Sequence, residues 1–393
     1  MNREEITYLG SDDGKRLLDA IREMEGDSLR KQERLRKTYP VEMVRAGMLL
    51  SELRERASAK FEDADRMFFD RDGLEQASGD VIAQYRAKRF SEFDTVADLC
   101  CGVGGDTAAL AEKADVTAVD LRPERVRMTR ANLAARGLRA RVATADVRRW
   151  CPTADAYFVD PSRREQGRRV TKLSEYAPSV DDLSWMPKNP TVGIKVAPGI
   201  DHESAPDGCE MEFISVDGAC REAVLWLGGL RNVEGARTTR ARTTRVRATL
   251  LPGGHSLVGT ETKPVPCGEI ARYVYEPDRS VIRAHLVDQV AESIGASKLA
   301  PDVAYLTSDE RTDSPFVKGY EVADVVPFSL KRIQSYLTER LIGRIEIKKR
   351  RFPMTPDEVY SRLKLVGEER VTLILTRLSG DPVGVFCQPV KAP

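Results

Sequence analysis

Three aspartates and a glycine-rich loop lie at regular spacing in the middle of the chain. Asp98 is followed by Leu-Cys-Cys and a group of glycines, Asp120 stands eighteen residues after the first of these, and Asp146 follows. The glycines are Gly102, Gly104 and Gly105. Without a Cβ, their backbone can approach a ligand closely. Each aspartate lies at the end of a short apolar stretch, so the pattern predicts carboxylates at the tips of successive strands.

The residues after the glycines distinguish between two classes of cofactor. In a dinucleotide loop the third glycine would fall at Thr107, and the helix N-terminus would receive a pyrophosphate. Here Asp106 begins that helix and would repel phosphate, and with Asp98 it predicts an anionic pocket. Such a pocket suits a cofactor with an ammonium and a sulfonium group, so we expect S-adenosylmethionine rather than a nicotinamide cofactor.

The spacing predicts a role for each carboxylate. Asp120 is placed to accept from both ribose hydroxyls, and Asp146 from the exocyclic amine of adenine. Taken singly, each aspartate would more often cap a helix or occupy a turn. The predicted cofactor-binding residues are Asp98, Gly102, Gly104, Gly105, Asp106, Thr107, Asp120, Leu121, Asp146 and Val147.

A second motif, Asp160-Pro161-Ser162-Arg163-Arg164, follows the fourth apolar strand. Enzymes that methylate exocyclic or amide nitrogens have Asp/Asn-Pro-Pro-aromatic at this place. The first side chain and the next carbonyl accept hydrogen bonds from the target NH₂ and aim its lone pair at the methyl group. We therefore predict Asp160, Pro161 and Ser162 as catalytic residues, with Pro161 fixing the turn.

Two positions depart from that motif. Ser162 replaces the second proline, and Arg163 stands where an aromatic ring would stack on a base. Arg163 and Arg164 would then clamp a phosphate or stack on a base, or else Asp160 caps a turn beside surface arginines. Gln76 and Lys195 are also predicted on the substrate side, although Lys195 fits a plain surface lysine equally well.

The periodicity of the chain predicts the elements that position these residues. From Thr95 onward, short apolar strands alternate with helices, which indicates a parallel sheet covered on both faces. Asp217-Gly218 then joins two strands as a hairpin turn. The expected fold class is α/β, with a Rossmann-like, seven-stranded methyltransferase core.

The flanking regions differ from this core. Apolar residues recur at helical spacing through the first ninety positions. A stretch rich in Arg, Thr, Pro and Gly precedes a final α+β region, in which apolar spacing predicts a single helix from Ser280 to Ile294. Within the preceding stretch, two short strands joined by Pro252-Gly253-Gly254 predict a small hairpin. We predict an N-terminal helical domain over 1–90, the core over 91–232, a linker with this hairpin over 233–268, and an α+β domain over 269–393.

Composition excludes several classes of protein. Apolar residues make up 41% and charged residues 31% of 393 positions, and no apolar run approaches bilayer length. The charged start resembles neither a signal nor a transit peptide, so a cytoplasmic location is expected. Seven cysteines without a Cys-x-x-Cys pair and three isolated histidines predict neither a disulfide framework nor a metal site.

A formal net charge of +1 conceals four basic clusters. They lie at Arg30 to Lys37, Arg163 to Arg169, Arg237 to Arg247 and Lys348 to Arg351. A single cluster of this kind is usually a solvated face, but four on one chain favour a polyanionic partner equally well.

The segment from Phe61 to Asp160, with DLCCGVGGDT, AVDLRPERV and VDPSRR, resembles prokaryotic class I methyltransferases with a C-terminal THUMP-like domain. The region from Tyr275 to Arg377 resembles that domain, and the core is also similar to trimethylguanosine synthases. This resemblance implies S-adenosylmethionine as cofactor, RNA, usually tRNA or rRNA, as partner, and guanine N2 as one candidate target. We expect the contacts to the RNA backbone to come from Lys348, Lys349, Arg350 and the strip from Arg237 to Arg247.

Two other functions remain open at this point. The chain could methylate a protein or a small molecule, in which case RNA would neither bind nor accept the methyl group. It could also be an RNA-binding protein that holds S-adenosylmethionine without transferring it, as the altered Asp-Pro-Ser-Arg motif allows.

Overall fold

The computed structural model describes residues 1–162, 164–165, 168–169, 172–179, 182, 190–232, 245–378 and 380–390. The chain forms two compact units. The first unit contains Met1–Glu212 and the described residues from Glu222 to Asn232. The second contains Phe213–Arg221 and the chain from Arg245 onward. The division into four domains by residue number stays a prediction.

The first ninety residues form helices, as their periodicity predicts. The helices are α1 (Arg3–Gly10), α2 (Asp12–Glu23), α3 (Ser28–Leu35), α4 (Val41–Ala57), α5 (Arg71–Gln76) and α6 (Asp80–Ala87). Polar side chains cap most of their N-termini, including a reciprocal capping box between Asn2 and Glu5. Leu17, Ile21 and Leu50 belong to one buried cluster, in which each such side chain contributes roughly 1.5–3 kcal/mol of burial energy.

Strands and helices alternate after Phe90. They are β1 (Thr95–Leu99), α7 (Gly105–Ala111), β2 (Asp115–Asp120), α8 (Pro123–Ala135), β3 (Arg141–Thr144), β4 (Ala156–Val159), β5 (Arg164–Glu165), β6 (Arg168–Arg169), β7 (Val192–Val196), β8 (Glu210–Val216) and β9 (Ala219–Leu227). Strands β1, β4 and β7 are buried along almost their whole length, as expected for parallel strands covered on both faces.

Seven strands of a nine-stranded sheet form the core, in the order β8-β9-β7-β4-β1-β2-β3. Strands β7, β4, β1, β2 and β3 are parallel, and β9 runs antiparallel to β7. Asp217 and Gly218 both have left-handed φ, 50° and 75°, which is the conformation of a two-residue hairpin turn. The predicted seven-stranded, Rossmann-like α/β core is confirmed.

The second unit is an α+β fold, as predicted. Its elements are β10 (Arg245–Leu251), β11 (His255–Val258), β12 (Tyr273–Pro277), α9 (Arg279–Arg283), α10 (Val287–Ser293), β13 (Ser297–Ala300), β14 (Val303–Ser308), β15 (Val317–Pro327), α11 (Leu330–Glu339), β16 (Ile342–Lys349), α12 (Pro356–Tyr360), β17 (Glu369–Leu378) and β18 (Asp381–Pro389). The hairpin β10–β11 forms at the predicted Pro-Gly-Gly turn, and β10 follows β8 in the strand order.

One helix of this unit was wrongly predicted. A single helix from Ser280 to Ile294 was expected, but His285 has φ of 57° and separates α9 from α10.

Strands β12 to β18 of the second unit form one seven-stranded sheet, in the order β13-β14-β12-β15-β18-β17-β16. Helix α11 packs on one face, where the Tyr336 ring stacks on Phe386 with centroids 3.6 Å apart. Within the described residues, no helix is long and apolar enough to span a membrane.

Candidate cofactor and acceptor site

The glycine-rich loop turns sharply at the carboxyl end of β1. Cys100, Gly102 and Gly104 all have left-handed φ, at 66°, 59° and 83°. A Cβ on Gly104 would lie 2.8 Å from Thr129 Cγ2, whereas a Cβ on Gly102 would meet no atom within 4 Å. Gly104 is therefore required for packing as well as for its conformation, and Gly102 leaves open space beside the loop.

Asp98 lies on β1 directly beneath this loop and is only 1% exposed. Its Oδ2 accepts a hydrogen bond from the hydroxyl of Thr107, but its Oδ1 is buried without a hydrogen-bond partner. Burial, followed by the charge of Asp106, raises the pKa of Asp98 to about 8. An unpartnered buried carboxylate oxygen requires a donor, and a ligand ammonium would supply one.

Asp106, at the start of α7, does not leave a free negative charge on the pocket. It forms an ion pair with Arg86 of α6, whose other terminal nitrogen is paired with Glu222 of β9. The side chain of Arg86 is 2% exposed; burial lowers its pKa, but Asp106 and Glu222 outweigh this effect and raise it. The pocket is therefore less anionic than the presence of Asp98 and Asp106 in the sequence predicts, because Arg86 neutralises Asp106.

Asp120 ends β2 with both carboxylate oxygens oriented by the backbone. Oδ2 accepts from the amide of Gly102 and Oδ1 from the amide of Arg122, each at 2.9 Å. Burial raises the pKa of Asp120, although these two hydrogen bonds oppose the shift. Each oxygen keeps a lone pair for a further donor. The next residue, Leu121, is 61% exposed, which leaves an apolar side chain beside this carboxylate.

Asp146 and Val147 follow β3. Both oxygens of Asp146 accept from the guanidinium of Arg148, at 2.9 and 2.7 Å, and the Arg148 hydrogen bonds lower the pKa of Asp146 to about 2. Val147 is buried at 5% exposure. An incoming amine would therefore share the Asp146 carboxylate with Arg148 or displace that arginine.

These residues fit S-adenosylmethionine on three observations. The unpartnered Oδ1 of Asp98 matches an ammonium, the fixed oxygens of Asp120 match a ribose, and the open space at Gly102 leaves room for the ligand to approach. Around the loop, four carboxyl groups, those of Asp98, Asp106, Asp160 and Glu222, outnumber the two cationic groups of Arg86 and Lys195, and all six side chains are buried or partly buried. A cation is thus favoured over a phosphate.

The proposed catalytic motif begins one residue after β4. The Asp160 amide donates to the carbonyl of Leu99 at 3.1 Å, so the backbone of the motif is tied to the end of β1. Pro161 is buried, and Ser162 exchanges two backbone hydrogen bonds with Ala177, at 2.9 and 3.0 Å. The turn that presents Asp160 is fixed at both ends.

Lys195 is not a surface lysine, so this alternative is wrong. It lies in β7 with a side chain 3% exposed, and its Nζ is 2.6 Å from Asp160 Oδ2. The same ammonium donates to Ser78 Oγ at 3.0 Å and to the carbonyl of Gln76 at 3.3 Å. The backbone of Gln76 therefore lies beside Asp160, and Gln76 itself is exposed.

Arg163 lies outside the described residues, and for Arg164 the structure describes only the backbone, in β5. Three residues of the site were not predicted: Arg86, Glu222 and Ser78. Their signals in the sequence are weak. Arg86 is a charged residue within the apolar face of a short helix. Because arginine is rarely buried unless it is paired, the sequence alone predicts an exposed side chain at this position.

Of the basic residues predicted to bind RNA, Lys348, Lys349 and Arg350 lie at the end of β16, whereas positions 237–244 of the predicted arginine strip lie outside the described residues. Lys348 Nζ is 2.8 Å from Glu276 and 3.4 Å from Glu346, and an Arg350 nitrogen is 3.8 Å from Glu276. Lys349 is exposed and donates to the carbonyl of Phe352 at 3.3 Å. Much of the charge of Lys348 and Arg350 is thus balanced within the domain.

A cavity of about 1010 Å³ lies elsewhere in the first unit. Residues of α1, α2, α4 and α8 line it, including Lys15, Arg22, Arg54 and Ala134, and none of the predicted site residues is among them. No metal-binding cluster is found within the part of the chain that the structure describes.

Three family models match separate parts of the chain. A methyltransferase domain matches residues 96–159, a THUMP domain-like model matches residues 317–389, and a domain of unknown function, DUF8688, matches residues 2–57. The first match covers β1 to β4 with the glycine loop, and the second covers β15 to β18.

Two kinds of relative extend these matches. A protein of Porphyromonas gingivalis W83 assigned as a methyltransferase has a crystal structure that aligns over 100% of both chains, with a TM-score of 0.77 and 22% identity, which shows a shared fold. An uncharacterized S-adenosylmethionine-dependent methyltransferase of Mycobacterium tuberculosis, found in strains CDC 1551 and H37Rv, is 34% identical over 357 residues. This alignment covers 86% of the present chain and 95% of the relative. With that identity over nearly the whole length, the chain belongs to the S-adenosylmethionine-dependent methyltransferases.

Proposed function

We propose that this enzyme transfers the methyl group of S-adenosylmethionine to a nucleobase nitrogen of structured RNA, tRNA or rRNA, with guanine N2 as one candidate. The observation that supports the acceptor class best is Asp160, a carboxylate followed by proline at the carboxyl end of β4. Its backbone is tied to Leu99, and one oxygen is held by Lys195 at 2.6 Å. A fixed acceptor of this kind suits an NH₂ group.

S-adenosylmethionine supplies an activated methyl group on a sulfonium. In our proposal, Asp98 holds the ammonium of the cofactor, Asp120 its ribose, and Asp146 with Leu121 and Val147 its adenine. Gly102, Gly104, Gly105, Asp106 and Thr107 form the loop and the helix start around it. With the cofactor held in this way, its methyl group would face Asp160, because Asp160 follows β4, the neighbour of β1 in the sheet.

Asp160 then orients the acceptor. One carboxylate oxygen accepts a hydrogen bond from the exocyclic NH₂, which directs the nitrogen lone pair toward the methyl carbon. The nitrogen–carbon bond forms as the carbon–sulfur bond breaks, and the nitrogen releases a proton to solvent. Alignment accounts for most of the rate, so no strong base is needed. Pro161 and Ser162 hold the turn, and Gln76, Lys195, Arg163 and Arg164 are proposed on the substrate side.

RNA as the partner is supported by the second unit. The THUMP-like region 317–389 has thirteen Lys and Arg against nine Asp and Glu, whereas the whole chain is nearly neutral. A basic domain attached to a methyltransferase core suits a phosphate backbone. Lys348, Lys349 and Arg350 are proposed contacts; because Glu276 balances two of them, Lys349 should contribute most to the salt dependence.

A methyl-transfer assay with labelled cofactor and total RNA tests the proposal directly. RNA from a strain lacking the protein is incubated with the enzyme and methyl-labelled S-adenosylmethionine, and the nucleosides are analysed by mass spectrometry. We expect one N-methylated nucleoside with the wild type and none with Asp160→Ala, which should bind S-adenosylhomocysteine nearly as tightly as the wild type. Label in protein or small molecules only would instead favour the alternative acceptors.

Two further results would revise the proposal. Tight cofactor binding with no transfer to any pool would indicate a protein that binds both ligands without catalysis. Equal activity of Asp160→Ala would remove Asp160 from the mechanism. The cytoplasmic location is proposed from the sequence, and cell fractionation with an antibody tests it.

A further inference from the structure

We propose that Lys195 is the positioning residue of methyl transfer: its ammonium fixes the Asp160 carboxylate and the loop Gln76–Ser78 in one arrangement that presents the acceptor to the methyl group. The inference rests on the role of Asp160 in the proposed function. Lys195, which the sequence predicts only on the substrate side, would then have the separate role of positioning Asp160.

The hydrogen bonds of Lys195 leave its ammonium no freedom. An ammonium has three donors, and here they meet three acceptors: Asp160 Oδ2 at 2.6 Å, Ser78 Oγ at 3.0 Å and the Gln76 carbonyl at 3.3 Å. The side chain is 3% exposed, so water does not replace these partners. A buried lysine with a full set of acceptors is a rigid support.

Asp160 is the group that this support orients. Its backbone is already fixed through Leu99 and Pro161, so only its two side-chain torsions remain. The bond from Lys195 to Oδ2 removes that freedom. Among the described residues Oδ1 accepts no hydrogen bond, and the side chain is 23% exposed. Oδ1 is thus available for the acceptor NH₂.

The same lysine links the acceptor side to the cofactor loop. A Cβ built on Gly105 would lie 3.0 Å from the carbonyl oxygen of Ser78, so the Gln76–Ser78 loop packs directly on the glycine-rich loop. Lys195 therefore joins Asp160, a loop of the N-terminal helical segment and the start of α7. Methyl transfer is sensitive to displacements of about 1 Å in such an arrangement.

Lys60 provides a matched control. Its Nζ donates to the carbonyl oxygens of Leu74, Glu75 and Ala77, at 2.8, 3.3 and 3.2 Å, so it supports the same loop. Asp160 accepts no hydrogen bond from it. Lys60→Met therefore removes a loop contact and a charge but leaves the Asp160 partner in place.

The first test needs no acceptor. Crystal structures of the wild type and Lys195→Met, each with S-adenosylhomocysteine, should show Asp160 in a different or divided rotamer in the variant and unchanged in Lys60→Met. An Asp160 carboxylate that keeps its position in Lys195→Met would overturn the inference. If this variant does not fold, Lys195→Arg and Ser78→Ala are used, with the shift of Asp160 expected for the arginine variant only.

The second test is kinetic, with total RNA as the methyl acceptor. Lys195→Met should lower kcat about 100-fold while the Kd for S-adenosylhomocysteine changes less than about threefold. Lys60→Met should stay within about threefold of the wild-type kcat, and Lys195→Arg should recover part of the loss.

A double-mutant comparison separates positioning from general structure. Asp160→Asn keeps a carbonyl oxygen but loses the charge that Lys195 binds, so in that background Lys195→Met should cost less than about fivefold. A loss as large as in the wild-type background would contradict the role through Asp160. If the wild type labels protein instead of RNA, the proposed function fails, and the same comparison on that acceptor still decides the inference.

Discussion

Replacing Asp98 by asparagine should stabilise the cofactor-free enzyme and weaken cofactor binding at the same time. The folded protein raises the pKa of this carboxyl from 3.8 to about 8, mainly by burial. At pH 7 the unfolded chain is ionised at this position and the folded one is protonated, so folding requires proton uptake at a cost of about 4 kcal/mol. Asparagine removes that cost, and the figure is an upper bound because its amide is also buried.

The sign of the effect depends on pH. With a folded pKa above the unfolded one, the contribution of Asp98 to stability is fully present below about pH 4 and is lost as the pH rises to about 8. Asp98→Asn should therefore match the wild type in stability near pH 4 and exceed it increasingly up to pH 8. Urea denaturation at several pH values measures this difference, with Asp115→Asn, an exposed carboxylate of β2, as the control.

Cofactor binding should respond in the opposite direction. An ammonium near Oδ1 favours the ionised carboxylate, so at pH 7 the wild type should release up to one proton on binding S-adenosylhomocysteine. Calorimetry in buffers of different ionisation enthalpy counts that proton. Asp98→Asn should release none and bind at least about 30-fold more weakly, as expected for removal of one partner of a buried charge pair. An Asp98→Asn variant that binds the ligand as tightly as the wild type would rule out Asp98 as the partner of the ammonium. A variant that is destabilised equally at every pH would contradict the raised pKa of Asp98.

Three further predictions concern other buried contacts. Arg86→Met should destabilise the enzyme by about 3–5 kcal/mol in urea denaturation, because it removes the buried guanidinium that is paired with the carboxylates of Asp106 and Glu222; an unchanged midpoint would contradict this. Gly104→Ala should lower S-adenosylhomocysteine affinity in calorimetry, because its φ of 83° and the 2.8 Å approach to Thr129 exclude a Cβ; wild-type affinity would count against it. Lys348→Met should lower the thermal stability of the second unit more than Lys349→Met, because Lys348 is paired with Glu276 and Lys349 is not. Lys349→Met should in turn reduce the salt dependence of RNA binding more than Lys348→Met.

The sequence was sufficient for the parallel core because its signals are local. Apolar strands alternate with helical stretches from Thr95, and Asp217-Gly218 has the turn chemistry of a hairpin, so each element could be predicted without tertiary contacts. The wrong prediction of a single helix across His285 has the same origin. Continuous apolar spacing over 280–294 predicts one helix, and the left-handed residue that divides it leaves no sequence signal.

The candidate site was predicted only where spacing along the chain determines it. The positions of the glycines and of the aspartates at strand ends could be predicted because each of these residues lies at or just after the end of its own strand. The partners of Asp106 and Asp160 could not be predicted in this way, since Arg86 and Lys195 are 20 and 35 residues away from them. Nothing in a single sequence distinguishes a buried, paired lysine from an exposed one. Contacts between distant segments supply that information.

A crystal structure with S-adenosylhomocysteine tests the cofactor site most directly. We expect the amino group of the ligand at Asp98 Oδ1, its ribose on Asp120 and its sulfur facing Asp160. A ligand bound instead in the cavity lined by Arg22 and Arg54, or with its amino group away from Asp98, would contradict it.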